Sequence, residues 1–140
     1  MNARFVNPST GEIRELLKRI KTIAVVGLSP SAGRPSHGVA RALQGFGYRI
    51  IPVNPAVSEV LGEKSYPNLR ELPESVDLVD VFRESSYVAG IVEECIALKL
   101  PALWLQDGVV DEAAALRAQT AGLTVVMDRC IYRDYVQLLK

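Results

Sequence analysis

Between Thr22 and Ser36 a run of apolar residues gives way to small ones and then to Arg34-Pro35-Ser36, a pattern suited to holding an anion. A strand that turns into a helix leaves backbone N–H groups unpaired at the helix start, and the helix dipole favours negative charge there. Gly27 and Gly33 allow the main chain to approach a ligand closely. Arg34 adds a fixed cation, Ser29 and Ser36 add hydroxyls, and Pro35 suits the first helical position. The chemistry expected of Gly27, Leu28, Ser29, Arg34, Pro35 and Ser36 is therefore the cradling of a phosphate.

Two common phosphate-loop patterns do not fit. The dinucleotide fingerprint needs G-x-G-x-x-G and an acidic residue roughly 20 positions later for a ribose diol. Here the loop runs from Gly27 to Gly33 without that spacing, and the next apolar segment ends in Asn54-Pro55 with no carboxylate. No Gly-Lys-Ser/Thr follows the loop either, so a lysine that reaches a terminal phosphate is missing.

The remaining reactive side chains point away from self-contained catalysis. His37 is the only histidine, lacks a recognisable nucleophile partner and sits where a polar surface residue is expected. Asp80 falls inside an apolar strand and Asp107 in an Asp-Gly turn, so both read as structural. Trp104 lies within an apolar run and reads as core, and Cys95 falls on a helical apolar stripe. Cys130 differs: it follows the last apolar run, between Arg129 and a helix start, surroundings that favour thiolate chemistry. It is a candidate redox thiol.

Elements that position these residues alternate along the chain. Apolar runs at 22–27, 49–53, 77–82, 102–105 and 123–127 are separated by segments of helical period, the pattern of a parallel sheet covered on both faces. Ile13, Leu16, Leu17 and Ile20 form a helical stripe after Ser9-Thr10-Gly11-Glu12, a capping box, so a leading helix over residues 1–21 packs on the domain. Val39, Ala42, Leu43 and Phe46 give a second helix, ended by Gly45 or Gly47; Val88, Ile91, Val92 and Cys95 give a third. Asp111 starts a fourth, closed by Gly122, and Tyr132, Tyr135, Val136 and Leu139 mark the last. Residues 58–75 are irregular, with Gly62, Pro67 and Pro73, and are expected to hold a single helical turn. In such an open sheet ligands sit outside the carboxyl ends of the strands where the strand order reverses. Five groups should meet there: Gly27 to Ser36, Asn54-Pro55, Phe82-Arg83, Gln106-Asp107-Gly108 and Met127 to Cys130.

With 140 residues and 49% apolar content the chain fits one domain, residues 1–140, with a real core. Sixteen basic and sixteen acidic residues cancel, so charge implies neither a nucleic-acid nor a membrane partner. Two cysteines and one histidine argue against a disulfide framework or a metal centre. No stretch is long and apolar enough for a span, and Met1 to Pro8 lacks the apolar core of a signal peptide, so a cytoplasmic location is expected.

Taken in order, Ala24 to Ser29 with Arg34 to Ser36, Val53 to Pro55, Gly62 to Pro67, Val79 to Arg83, Leu103 to Gly108 and Asp128 to Cys130 resemble the family of small stand-alone CoA-binding domain proteins. That family is similar to the N-terminal CoA-binding domain of the succinyl-CoA synthetase alpha subunit. The resemblance implies a Rossmann-like, doubly wound α/β fold with a mainly parallel five-stranded sheet, and coenzyme A or an acyl-CoA as the ligand. It further implies that Ser29, Arg34 and Ser36 contact the pyrophosphate, that Val53 to Pro55 and Phe82-Arg83 flank the adenosine, and that Leu105, Gln106 and Asp107 lie beside the pantetheine arm. The synthetase has a Gly-Lys pair after its second strand; here Ala56-Val57 stands in that place, leaving Arg83 or Lys64 as substitutes at the ribose 3′-phosphate. The expected activity is non-catalytic CoA binding. Two alternatives stay open: an NAD(P)-binding redox domain, and a synthetase subunit active only with a separate partner.

Overall fold

The computed structural model describes residues 4–140. Helix α1 (Thr10–Arg19) leads into β1 (Thr22–Val26), α2 (Pro35–Gly45) and β2 (Arg49–Val53). A short hairpin of β3 (Glu59–Val60) and β4 (Glu63–Lys64) follows, then a 3-10 turn at Leu69–Glu71, β5 (Leu78–Val81) and a second 3-10 turn at Ser85–Tyr87. The chain continues through α3 (Val88–Ala97), β6 (Ala102–Leu105), α4 (Glu112–Thr120), β7 (Thr124–Met127) and α5 (Ile131–Leu139). Each of the five apolar runs is recovered to within one residue at either end.

The five long strands form one parallel sheet in the order β2-β1-β5-β6-β7. Alternate side chains of every strand enter two separate cores. Ala24, Val26, Val79, Val81, Leu103 and Val125 face α3 and α4, while Ile23, Val25, Leu78, Trp104 and Val126 face α1, α2 and α5. Burial on both faces explains the unbroken apolar character of the strands. This is a doubly wound α/β fold, and its strand order reverses between β1 and β5, where the connections after the two strands run to opposite sides.

Local signals hold the helices in place. Ser9 Oγ accepts from the Glu12 N–H and the Glu12 carboxylate accepts from the Ser9 N–H, both at 3.2 Å, which closes the capping box of α1. Helix α2 stops at Gly45, and Gly47, at φ 104°, supplies the left-handed turn into β2. Asp111 caps α4 by accepting from the Ala114 N–H at 3.0 Å.

The irregular segment contains more structure than its sequence suggests. Besides the expected helical turn it forms the β3–β4 hairpin, whose tip is Leu61 and Gly62, both at positive φ. A type I′-like turn favours Asn-Gly or Gly-Gly, so leucine in its first position gives no hairpin signal. The segment then returns to β2: the Tyr66 N–H donates to the Pro52 carbonyl at 3.0 Å and the Asn54 N–H to the Tyr66 carbonyl at 2.9 Å. Pro52, which has no N–H to give, is tolerated because β2 is an edge strand.

Candidate functional site

Beyond the carboxyl ends of the strands lies a cavity of about 790 Å³, within the range of small-molecule sites. All five expected groups contribute to it, through Gly27, Ser29, Arg34, Pro35 and Ser36, then Asn54, Phe82 with Arg83, Gln106 with Asp107, and Cys130. A second cavity of about 420 Å³ adjoins it, bounded by Val26, Val53, Pro55 and the 67–70 segment on one side and by α3 on the other. Arg83 and Tyr87 line both cavities, with the Arg83 guanidinium 3.8 Å above the centre of the Tyr87 ring. Such a cation–π contact fixes the long arginine side chain at the boundary.

Gly27 is the hinge of this arrangement. Its φ is +83°, and a Cβ there would lie 2.6 Å from the Phe82 carbonyl oxygen and 2.9 Å from Arg83 Cδ. Only glycine lets the ends of β1 and β5 come this close. Gly33 has no such requirement: its φ is ordinary and a Cβ would meet nothing within 4 Å. Within the protein, then, a close approach of neighbouring chain requires glycine at Gly27 and not at Gly33.

Much of the loop is occupied with holding itself. The Ser36 hydroxyl, almost fully buried, accepts from the Ser29 N–H at 3.0 Å, and Ser29 Oγ accepts from the Ser31 N–H at 3.1 Å. Asn54 donates to the Leu28 carbonyl at 3.0 Å and accepts from the Ala56 N–H at 2.9 Å, which ties the tip of β2 to the first loop. The Leu28 side chain is fully buried in the core under α2 and cannot line a site. That corrects its selection as a contact residue, whereas Asn54 lines the cavity as well as holding the loop. Pro55 turns to the second cavity, apart from Asn54. Lys64 lines neither cavity; its ammonium lies 5.2 Å over the Tyr66 ring.

Arg34 stands at the N-cap of α2, exposed and without an ion pair among the described residues, with Pro35 in the first turn. The His37 and Gly38 N–H groups are given to the Arg34 carbonyl and Pro35 has none, so the Ser36 N–H and the uncommitted Arg34 guanidinium are what this helix start could offer an anion. His37 lies one turn further and does not line the cavity.

The far wall is braced from the last strand. Asp128, in the left-handed region at φ 61°, accepts from the Gly108 N–H at 2.7 Å and so locks the turn after β6. Gln106 is nearly buried; its Oε1 accepts from the Ile131 N–H at 3.2 Å, which caps α5, and its amide nitrogen has no protein partner among the described residues. Asp107 is paired to Arg133 through both oxygens, at 2.8 and 3.0 Å, and hydrogen bonding to that guanidinium holds its carboxyl below the usual range against slight desolvation. Arg129 is turned onto the buried Asp134, at 2.7 and 2.8 Å, so its charge is not directed at Cys130. Cys130 is the N-cap of α5 and lines the cavity. Cys95 is buried, its thiol pushed up to about 12 by desolvation and the nearby Glu94 charge, which leaves it inert.

Directly under the cavity floor, one pair of residues back along the strands, Asp80 lies between Val25 and Trp104 with both carboxylate oxygens buried and unpartnered. Burial raises its carboxyl well above the ordinary range and favours the neutral acid. Trp104, fully buried, donates from Nε1 to the Arg129 carbonyl at 2.8 Å, a core residue that also anchors the last loop. Sequence reasoning missed Arg70 and Tyr87 as lining residues and Asp128 as a brace. Tyr87 ends a 3-10 turn that begins two residues after Arg83, so their spacing of four gives no periodic signal.

Residues 21–135 match the model of a family described as CoA binding domain. The chain belongs to that CoA-binding domain family. It is 47% identical over 125 residues to the uncharacterized protein YneT of Bacillus subtilis, covering 89% of this chain and 93% of YneT. It is also 36% identical over 75 residues to acetate–CoA ligase [ADP-forming] I of Archaeoglobus fulgidus, where 54% of this chain matches only 11% of the ligase. Among solved structures, a hypothetical protein from Pyrococcus horikoshii superposes with a TM-score of 0.93 at 34% identity, covering 100% of this chain and 99% of the other. This CoA-binding domain is thus related both to small proteins of its own length and to one part of a much larger ligase. Among the described residues no helix is long and apolar enough to cross a membrane.

Proposed function

We propose that this chain binds coenzyme A, free or acylated, as a single non-catalytic domain. One observation supports the reading above others: a cavity at the strand-order reversal is bounded by Arg34 and Arg83, guanidinia that form no ion pair among the described residues, although Glu84 lines the same cavity. A pyrophosphate set against the start of α2 would meet Arg34, the loop N–H groups and the dipole together. The adenosine would lie over Arg83 and Tyr87 into the second cavity, and the pantetheine arm would run past the free amide of Gln106 towards Cys130. No nucleophile, base and oxyanion donor are grouped there, which supports binding without turnover. Native mass spectrometry of freshly purified protein, followed by denaturation and identification of the released small molecule, tests this: CoA is expected, while NAD(P) alone contradicts it.

The match to one part of an ADP-forming ligase favours a second reading, a subunit that gains activity with a separate partner. Co-purification from the native source with a nucleotide-binding partner and ATP-dependent CoA ligation by the pair would establish it.

Cys130 is the proposed redox thiol of the site. Its thiolate would attack the disulfide of oxidised CoA, forming a protein–CoA mixed disulfide and releasing one CoA thiolate. Intact-mass analysis should show one adduct on wild type and Cys95→Ser and none on Cys130→Ser. An adduct that persists in Cys130→Ser and disappears in Cys95→Ser contradicts this path.

A further inference from the structure

The second cavity has its own charge pattern. Its apolar walls, including Val53, Pro55 and Ile91, suit a flat base, and two guanidinia, Arg70 and Arg83, stand on its lining. Among the described residues six of the eleven arginines are ion-paired, and of the five without a pair there, three line the two cavities: Arg34, Arg70 and Arg83. Arg34 belongs to the larger cavity alone and Arg70 to the smaller alone. Two separated guanidinia without an ion pair among the described residues, joined through Arg83, suit a ligand with two separated anionic groups, with Glu84 and Glu94 as the acidic residues on the two linings.

The position of Arg70 is built. It occupies the middle of the 3-10 turn Leu69–Glu71, whose first residue is buried in the core and whose cap, Asn68, accepts from the Glu71 N–H at 3.2 Å. The turn is tied to β2 through the Tyr66 hydrogen bonds and packs against α3. An exposed arginine on a freely moving loop would lose much side-chain and backbone entropy on binding; here the backbone part is already fixed. Glu94, on the same lining, opposes a phosphate placed next to it and suits an amino group of the base.

We infer that Arg70, together with Arg83, forms the subsite for the ribose 3′-phosphate of CoA and sets the preference of this chain for ligands that carry that group. The inference rests on the CoA reading. It also accounts for the residue pair Ala56-Val57 after β2: the cation is supplied from the neighbouring turn instead.

Calorimetric titration of wild type, Arg70→Ala and Arg19→Ala with CoA and with 3′-dephospho-CoA tests the subsite. Arg19 is an exposed, unpaired arginine at the end of α1, outside both cavities, and controls for the loss of one charge. Wild type should prefer CoA about tenfold, the scale of one exposed charge-assisted contact, and Arg70→Ala should lose that factor for CoA alone. Arg19→Ala should bind both ligands like wild type. If Arg70→Ala weakens both ligands equally, or neither, the subsite is overturned while CoA binding stands. If wild type binds neither ligand, the CoA reading fails and this inference with it.

Discussion

The two ends of the sheet are built from the same strands and treat charge in opposite ways. At the amino end, Asp77 accepts from the Lys21 and Thr22 N–H groups at 2.8 and 3.0 Å, and Arg49 is paired with Glu74 at 2.9 Å. At the carboxyl end, Arg34 and Arg83 line a cavity and have no ion pair among the described residues, although Arg129 and Arg133 at the same end are both paired. The difference is therefore selective. At the amino end Asp77 and Arg49 are closed on the protein, and at the carboxyl end the arginines that brace the walls are paired while Arg34 and Arg83 are not.

The comparison is broken most severely at Gly27. Gly27→Ala forces a side chain into the left-handed region and against the Phe82 carbonyl, a combined cost of about 2–5 kcal/mol, whereas Gly33→Ala should leave the denaturation midpoint close to wild type. Equal midpoints for the two variants would show that the approach of β1 to β5 is not tight.

A smaller effect comes from the layer beneath the cavity. Because the folded carboxyl of Asp80 is raised, the folded state holds a proton that the unfolded chain has released. Stability from this group is therefore full below the ordinary carboxylate range and falls as pH rises from there towards the raised folded value, by at most about 1.4 kcal/mol per pH unit. Asp80→Asn should flatten that part of the profile in denaturant titrations between pH 5 and 9. An unchanged slope would contradict an unpartnered buried acid.

The smallest effect is expected at the amino end. The Arg49–Glu74 pair is half exposed, so Arg49→Ala should move neither the thermal midpoint nor CoA affinity measurably. Loss of CoA binding in that variant would blur the distinction between the ends.

How far the sequence foretold these features depends on whether the signal was local. The strands were legible because burial on both faces demands continuous apolar runs, and the capping box at Ser9 and Glu12 because its partners are three residues apart. The convergence of Gly27 to Ser36, Asn54, Arg83, Gln106 and Cys130 followed from topology once the strands were placed. What escaped was partner choice. Asn54, Ser36 and Gln106 line the cavity and also bond to Leu28, Ser29 and Ile131, and nothing in residue type foretells that bracing. Arg129 was similarly opaque, because its partner Asp134 becomes apparent only when α5 starts at Ile131. Arg70 was hidden in a segment whose hairpin turns on Leu61 at positive φ.

The most direct measurement of the central claim is a calorimetric titration of wild type and Arg34→Ala with CoA and with NAD, alongside a denaturation curve for each protein. Arg34 is exposed and unpaired, so its removal should leave stability unchanged while weakening CoA binding by about 1.5–3 kcal/mol, roughly ten- to more than a hundredfold. NAD should bind much less well than CoA to wild type. Equal affinity for the two cofactors, or CoA binding that Arg34→Ala does not change, would contradict a CoA site built on the start of α2.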